Sequence, residues 1–124
     1  MKKSNSNNLN PKNNITRGSV FFAELVDVGG SVQNGMRPVV IIQNNVGNKF
    51  SPTTIVLPLT SKNKKDMPTN VKIGKELGLK YDSTVLAGQV ICINKTQLGR
   101  FVTRLSDNTM RQVDNALAAS IGLS

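Results

Sequence analysis

The chain has 124 residues and a formal charge of +9, from 16 lysines and arginines against 7 acidic residues. This length suits one domain with a small core, which must be mainly aliphatic because the chain has four phenylalanines, one tyrosine and no tryptophan. The lack of histidine excludes Ser-His and Cys-His nucleophile systems and the common zinc sites, while the surplus positive charge favours a polyanionic partner.

The amino-terminal segment is polar and basic. Residues 1–14 contain six asparagines, three lysines and two serines, a composition that cannot bury enough apolar surface to offset the entropy lost on ordering. We therefore predict a disordered tail over residues 1–16 and a single domain over residues 17–124. No segment resembles a signal peptide or approaches the roughly 18 apolar residues of a membrane span, which predicts a cytoplasmic protein without membrane association.

The first half of the domain indicates strands around a glycine-marked loop. Residues 19–26 have strand composition, and residues 27–36 hold three glycines, one of them in an Asn-Gly turn pair. The apolar run 38–42 predicts a strand covered on both faces. After a turn, residues 52–59 predict a further strand, in which Pro58 indicates a bulge or an edge.

The second half predicts shorter strands and one helix. Residues 61–67 form a lysine-rich loop, either a solvated turn or a rim that faces phosphates. Strands are expected at 69–73, 84–94 and 98–102, with Cys92 buried as a small hydrophobe. Ser106 is a good N-cap for a helix with apolar residues at helical spacing up to Gly122. The fold class is therefore mainly β, a strongly bent antiparallel sheet with a C-terminal helix.

A cation and two hydroxyls are expected to meet where neighbouring strands end. Arg37 lies where the glycine-marked loop joins its strand, and Thr60 and Ser61 close the next strand. A guanidinium forks onto two phosphate oxygens, and a hydroxyl can donate to the same phosphate. RNA supplies its own nucleophile, the 2′-hydroxyl, so these groups can cleave it without a cofactor, and no acidic residues are spaced as a metal site. The plainer interpretations are a surface ion pair for Arg37 and a strand-end threonine for Thr60.

A series of short motifs extends over most of the chain. The motifs are Arg17-Gly18, Gly30-Ser31-Val32-Gln33, Gly35-Met36-Arg37-Pro38-Val39, Ser51-Pro52-Thr53, Pro68-Thr69, Asp82-Ser83 and Gln89. None is specific alone, but from about Arg17 to Leu123 their order and spacing resemble those of the MazF/PemK family of toxin endoribonucleases.

The resemblance implies a small SH3-like barrel, a homodimer and metal-independent cleavage of single-stranded mRNA. It also implies a cognate acidic, MazE-like antitoxin as partner. Arg37 and Thr60 match the positions to which MazF-type enzymes assign catalysis, and Gln33 matches their RNA-contacting loop glutamine. With the polar residues around these positions, the predicted RNA-binding set is Ser31, Gln33, Ser61, Lys62 and Gln89.

This chain departs from the family at several charged positions. The PemK branch relies on an arginine and an aspartate where this chain has Leu86 and Gly88, so that mechanism does not carry over. Val32, Gly88, Ile91 and Asn94 each replace a commonly charged residue, which leaves the proton acceptor and the preferred RNA sequence unassigned. Two other functions stay open: a poison that grips a protein such as DNA gyrase, as the CcdB relatives do, and an RNA-binding module without catalysis.

Overall fold

The structure, a computed structural model, describes residues 15–26, 29–75 and 78–123. The predicted tail over residues 1–14 lies outside these ranges. Packing begins before residue 17, because Ile15 is buried in a core cluster and the Thr16 hydroxyl lies 2.9 Å from that of Ser19. The body of the domain therefore starts about two residues earlier than the composition suggested.

Antiparallel strands make up most of the described chain. The main path of hydrogen-bonded strands has the order β4-β5-β3-β2-β1-β7, and β6 pairs with β3 beside this path. This confirms the mainly β fold with a C-terminal helix, although the path itself stays open between β4 and β7. In chain order the elements are β1 (Ser19–Leu25), β2 (Gly35–Ile41), α1 (Asn45–Phe50), β3 (Thr53–Thr60), β4 (Asn70–Ile73), β5 (Ser83–Leu86), β6 (Ile91–Asn94), β7 (Leu98–Arg104) and α2 (Asp107–Ser120).

A loop rather than a strand covers the gap beside β7. Gly78 has a φ of +91°, and a Cβ at this position would lie 2.4 Å from the carbonyl oxygen of Val102 in β7. Only glycine permits so close an approach in this backbone conformation. The next residue, Leu79, packs against the core.

The apolar run 84–94 forms two strands instead of the one expected. β5 pairs with Leu59 and Thr60 at the end of β3, whereas β6 pairs with residues 53–56 at its start. The break falls beside Leu57 and Pro58, and a proline has no N–H for a ladder hydrogen bond. The predicted turn over 44–51 contains the short helix α1. Cys92 is exposed rather than buried, because it lies on the outward face of β6.

The core consists of two apolar clusters on the two faces of the central strands. Val40 and Leu57 belong to the cluster beneath α2, whereas their chain neighbours Val39 and Val56 belong to the other. Successive strand residues point to opposite faces, so β2 and β3 are covered on both sides, as the continuous apolar run 38–42 predicted for β2.

The C-terminal helix is capped and fastened as its sequence indicates. The Ser106 hydroxyl accepts a hydrogen bond from the Thr109 N–H at 3.1 Å, and Met110 and Val113 are buried against the sheet. Arg17 reaches Asp114 through both terminal nitrogens, one of them 3.2 Å from Oδ2. No helix in the described part of the chain is long and apolar enough to cross a membrane.

Candidate active site

Arg37 is held in place through the Nε of its guanidinium. It lies in β2 two residues after Gly35, whose φ of +75° lets the loop turn into the strand. Its Nε donates to the carbonyl oxygen of Asn34 at 2.9 Å. Within the described residues the two terminal nitrogens have no partner, so an anion can take both of them.

Thr60 ends β3 beneath the surface. The residue is only 2% exposed, and its hydroxyl oxygen accepts a hydrogen bond from the Lys62 N–H at 3.2 Å. Within the described residues its hydroxyl proton has no acceptor, so it can donate to a ligand. Thr60, Ser61 and Arg37 line one cavity of about 270 Å³, so the structure brings together the cation and the two hydroxyls singled out from the sequence.

A second cavity of about 290 Å³ adjoins Arg37 on the side of the glycine-marked loop. It is lined by Ser31, Gln33, Arg37, Lys62 and other loop residues. Gln33 is 8% exposed, and its buried Oε1 has no hydrogen-bond donor among the described residues. A buried acceptor without a donor is costly, so a ligand N–H or O–H that reaches Oε1 gains a hydrogen bond there.

Gln89 fastens this loop from outside. Its Oε1 accepts from the Gln33 N–H at 2.9 Å, and its Nε2 donates to the carbonyl oxygen of Ser31 at 3.2 Å. Both ends of the side-chain amide therefore bind loop backbone. The structure gives Gln89 a positioning role for the loop, while its direct contact with RNA stays a prediction.

A third cavity, of about 410 Å³, continues from the first. The first and third cavities share Ser61 and Ser83, the second and third share Lys62, and the first and second share Arg37. We call these three adjoining cavities the basic groove. Among their described lining residues are six cations, Arg37, Lys62, Lys64, Lys72, Lys80 and Arg100, and one acid, Asp82.

One cation of the groove has a carboxylate partner. Lys72 Nζ lies 2.8 Å from Asp66 Oδ1, and this hydrogen bond and the charge of the ammonium lower the pKa of Asp66 below its ordinary 3.8. Both side chains are largely exposed, and such pairs contribute little to stability. Within the described chain the other five cations have no carboxylate within ion-pair distance, so the groove keeps an excess of positive charge for an anionic ligand.

The first cavity also contains residues that the sequence reasoning missed. Tyr81, Arg100 and Phe22 line it beside Arg37 and Thr60. Tyr81 is the one tyrosine of the chain and follows Lys80 directly, which was the available signal. Its distance in sequence from Arg37 gave no indication that the two share a cavity.

Comparison with known proteins places this geometry in a family. A sequence model described as "PemK-like, MazF-like toxin of type II toxin-antitoxin system" matches residues 16–121. The fold is similar to that of an endoribonuclease in complex with its cognate antitoxin from Mycobacterial species, with a TM-score of 0.73 and 28% identity over 88% of this chain and 96% of that chain.

Two further solved structures agree. An endoribonuclease from Mycobacterial species has a TM-score of 0.73 and 26% identity over 87% of this chain and 91% of that chain. MazF from Deinococcus radiodurans has a TM-score of 0.75 and 19% identity over 86% of this chain and 96% of that chain, a likeness of fold alone.

Proposed function

The chain belongs to the PemK-like, MazF-like family of toxins of type II toxin-antitoxin systems, and on that premise we propose that it is an endoribonuclease that cuts single-stranded RNA in the basic groove without a metal. The observation that carries the proposal is that Arg37, whose two terminal nitrogens have no partner among the described residues, lines one cavity with Thr60. The solved structures at 28% and 26% identity are named endoribonucleases, which supports the same activity here.

The proposed reaction uses the substrate's own nucleophile. The RNA 2′-oxygen loses its proton as it attacks the adjacent phosphorus, the bond from phosphorus to the 5′-oxygen breaks and that oxygen takes up a proton, and the products end in a 2′,3′-cyclic phosphate and a 5′-hydroxyl. Charge on the phosphate rises from one towards two in the transition state. Arg37 offers two fixed N–H groups to that charge, because Nε is already bound to Asn34 and the fork needs little reorganisation. Thr60 donates its hydroxyl proton to the same phosphate.

The rest of the groove binds the strand on both sides of the cut. Lys62 and the other unpaired cations neutralise phosphates, which makes binding salt-dependent. Ser31 and Gln33 line the loop side of the groove as polar contacts to base edges, and the buried Oε1 of Gln33, which has no donor among the described residues, becomes available when the loop or its side chain moves. Sequence-specific RNA recognition needs bases splayed out of a helix, so we assign single-stranded mRNA in the cytoplasm as the substrate.

A homodimer and an antitoxin complete the proposal. Val46 and Phe50 of α1 are 71% and 75% exposed, and a second copy would remove such apolar surface from water. A related endoribonuclease has been solved with its cognate antitoxin. An acidic antitoxin segment that lies in the basic groove would compete with RNA for the same cations.

The activity test is cleavage of a long RNA in the presence of EDTA. We expect discrete fragments with cyclic-phosphate and 5′-hydroxyl ends, and a single 2′-deoxy substitution at a mapped cut should abolish that cut alone. RNA binding without fragments would instead indicate an RNA-binding module. If the protein neither bound nor cut RNA, a toxin that acts on a protein would be favoured.

A further inference from the structure

We propose that the cavity with Arg37 and Thr60 contains a nucleobase subsite, in which a base beside the scissile phosphate stacks on the ring of Tyr81 next to the guanidinium of Arg100. This inference rests on the proposed endoribonuclease function and deepens it, since it assigns the base that accompanies the reacting phosphate. It depends on three observations: an open aromatic ring, a stacked arginine and a fixed loop.

The Tyr81 ring is a largely exposed aromatic surface. The residue is 56% exposed although it lines a cavity, and the Nζ of Lys80 lies over one face of the ring, 5.5 Å from the centroid, so a base stacks on the opposite face or displaces this ammonium. Every nucleobase has an aromatic face, and stacking of one base on an aromatic side chain contributes about 1–3 kcal/mol to binding. A nearby ammonium suits the phosphate attached to that base.

Arg100 forms a second polar and planar group in the same cavity. Its guanidinium lies 4.9 Å from the centroid of the Phe22 ring, and both residues line the cavity. No carboxylate of the described chain pairs with it, so its N–H groups stay available. Arginine planes stack on bases and their N–H groups donate to base edges or phosphates.

The loop that carries Tyr81 is fixed on both sides. Ahead of it, Gly78 makes the close backbone approach to Val102; after it, the Ser83 hydroxyl donates to the carbonyl oxygen of Tyr81 at 3.0 Å. The platform is therefore formed before any ligand binds, which lowers the entropy cost of binding.

The cavity's size and charge favour one base with its phosphate. Its volume of about 270 Å³ is near the lower end of the roughly 300–1,000 Å³ typical of small-ligand sites. Three cations, Arg37, Lys80 and Arg100, and no carboxylate are among its described lining residues. An acidic side chain of the antitoxin would use these cations but not the aromatic ring, whereas a nucleotide uses both.

The composition of the chain permits a direct test. Because it holds one tyrosine, 3-fluorotyrosine labels Tyr81 alone and gives one ¹⁹F resonance. Single-stranded 2′-deoxy oligonucleotides of mixed sequence lack the attacking hydroxyl, so the readout does not depend on cleavage. We expect the resonance to shift on saturation with these oligonucleotides, and to move far less with an abasic strand of equal length. An unmoved resonance at saturation, or an equal shift with the abasic strand, would overturn the proposal.

Kinetics with matched variants give the second measurement. Tyr81→Leu should lower kcat/KM about 10- to 100-fold at a mapped cut, as expected for one lost stack, whereas Tyr81→Phe should retain it. An abasic nucleotide beside the cut should slow the wild type and slow Tyr81→Leu no further. If Tyr81→Leu cleaved as fast as the wild type, the subsite would be refuted and the ribonuclease function would stand. If the ¹⁹F resonance shifted but the wild type did not cleave RNA, the subsite would stand and the ribonuclease function would be refuted. Were Tyr81→Leu to weaken only antitoxin binding, the platform would serve the antitoxin and the proposal would be wrong.

Discussion

Arg17 and Arg37 are two arginines with different surroundings. All three guanidinium nitrogens of Arg17 have partners, since Nε donates to the carbonyl oxygen of Ile42 at 3.0 Å and both terminal nitrogens reach Asp114. Arg37 uses its Nε for the carbonyl oxygen of Asn34, and within the described residues its two terminal nitrogens have no partner. A guanidinium with a carboxylate partner joins two elements of the fold, whereas one without such a partner can bind an anionic ligand.

The largest expected effect comes from removing the guanidinium of Arg37. Arg37→Ala should lower the cleavage rate at saturating RNA about 100- to 1000-fold, as is typical for one lost donor to a transition-state charge. Its melting temperature should change little, because Arg37 joins no distant elements. Single-turnover cleavage and thermal unfolding measure the two quantities, with binding of a 2′-deoxy substrate expected within about tenfold of wild type. Normal cleavage at saturation with weak binding would make Arg37 a docking contact and erase the contrast with Arg17.

The second prediction concerns the contact between the loop at Gly78 and strand β7. Gly78→Ala should destabilise the fold by about 2 kcal/mol or more, because alanine at this positive φ is strained and its Cβ would meet the Val102 carbonyl. Gly74→Ala is the matched control, since a Cβ at Gly74 meets nothing within 4 Å and its φ is not positive. Urea unfolding compares the two variants. Equal stabilities would mean that the loop does not need its contact with β7.

Thr60 should show a milder form of the Arg37 effect. Thr60→Val keeps the shape of the buried side chain and removes the donor, so we expect cleavage about tenfold slower, in line with one neutral hydrogen bond of about 1 kcal/mol. Thr103→Val, on β7 and also buried, should cleave at the wild-type rate. Equal rates for all three proteins would leave Thr60 as a strand-end threonine without a part in the reaction.

The smallest effect is expected at the occupied arginine, and on stability rather than rate. Arg17→Ala should lower the free energy of unfolding by about 0.5–1 kcal/mol, a modest value because the Arg17 and Asp114 side chains remain 32% and 43% exposed. Lys72→Ala, which removes the more exposed pair with Asp66, should cost less. A folded Arg17→Ala protein that cleaved slowly would show that the two arginines are not separated in function.

Local signals were sufficient for some elements and silent on others. The Ser106 cap and the apolar spacing after it fixed α2, and the continuous apolar run after Pro38 fixed a strand covered on both faces. Arg37 could be singled out because it stands in the motif Gly35-Met36-Arg37-Pro38-Val39, and Thr60 because it closes a predicted strand. The break between β5 and β6 depends on which part of β3 each segment pairs with, and the exposure of Cys92 depends on strand phase, which a uniformly apolar run does not reveal.

The parts of the site that the sequence did not reveal depend on contacts between residues distant in sequence. The contact of Gln89 with RNA stays a prediction, but its hydrogen bonds to loop backbone more than fifty positions earlier in the chain were not foreseen. Tyr81 enters the cavity through the approach of Gly78 to β7. Neither contact leaves a periodic pattern, and residue type alone, even for the one tyrosine of the chain, does not show which distant residues it meets.

Strand β3 has neighbours along both edges, β2 on one and then β6 and β5 in turn on the other. Its amide protons should therefore exchange with solvent only when the whole domain opens, whereas loop 29–34, which Gln89 holds by two side-chain hydrogen bonds, can open locally at small cost. Amide exchange should therefore be slow at Thr60 and fast at Ser31 and Gln33. In the proposed reaction, RNA can thus enter and leave by local opening of the loop while the part of the site on β3 keeps its shape.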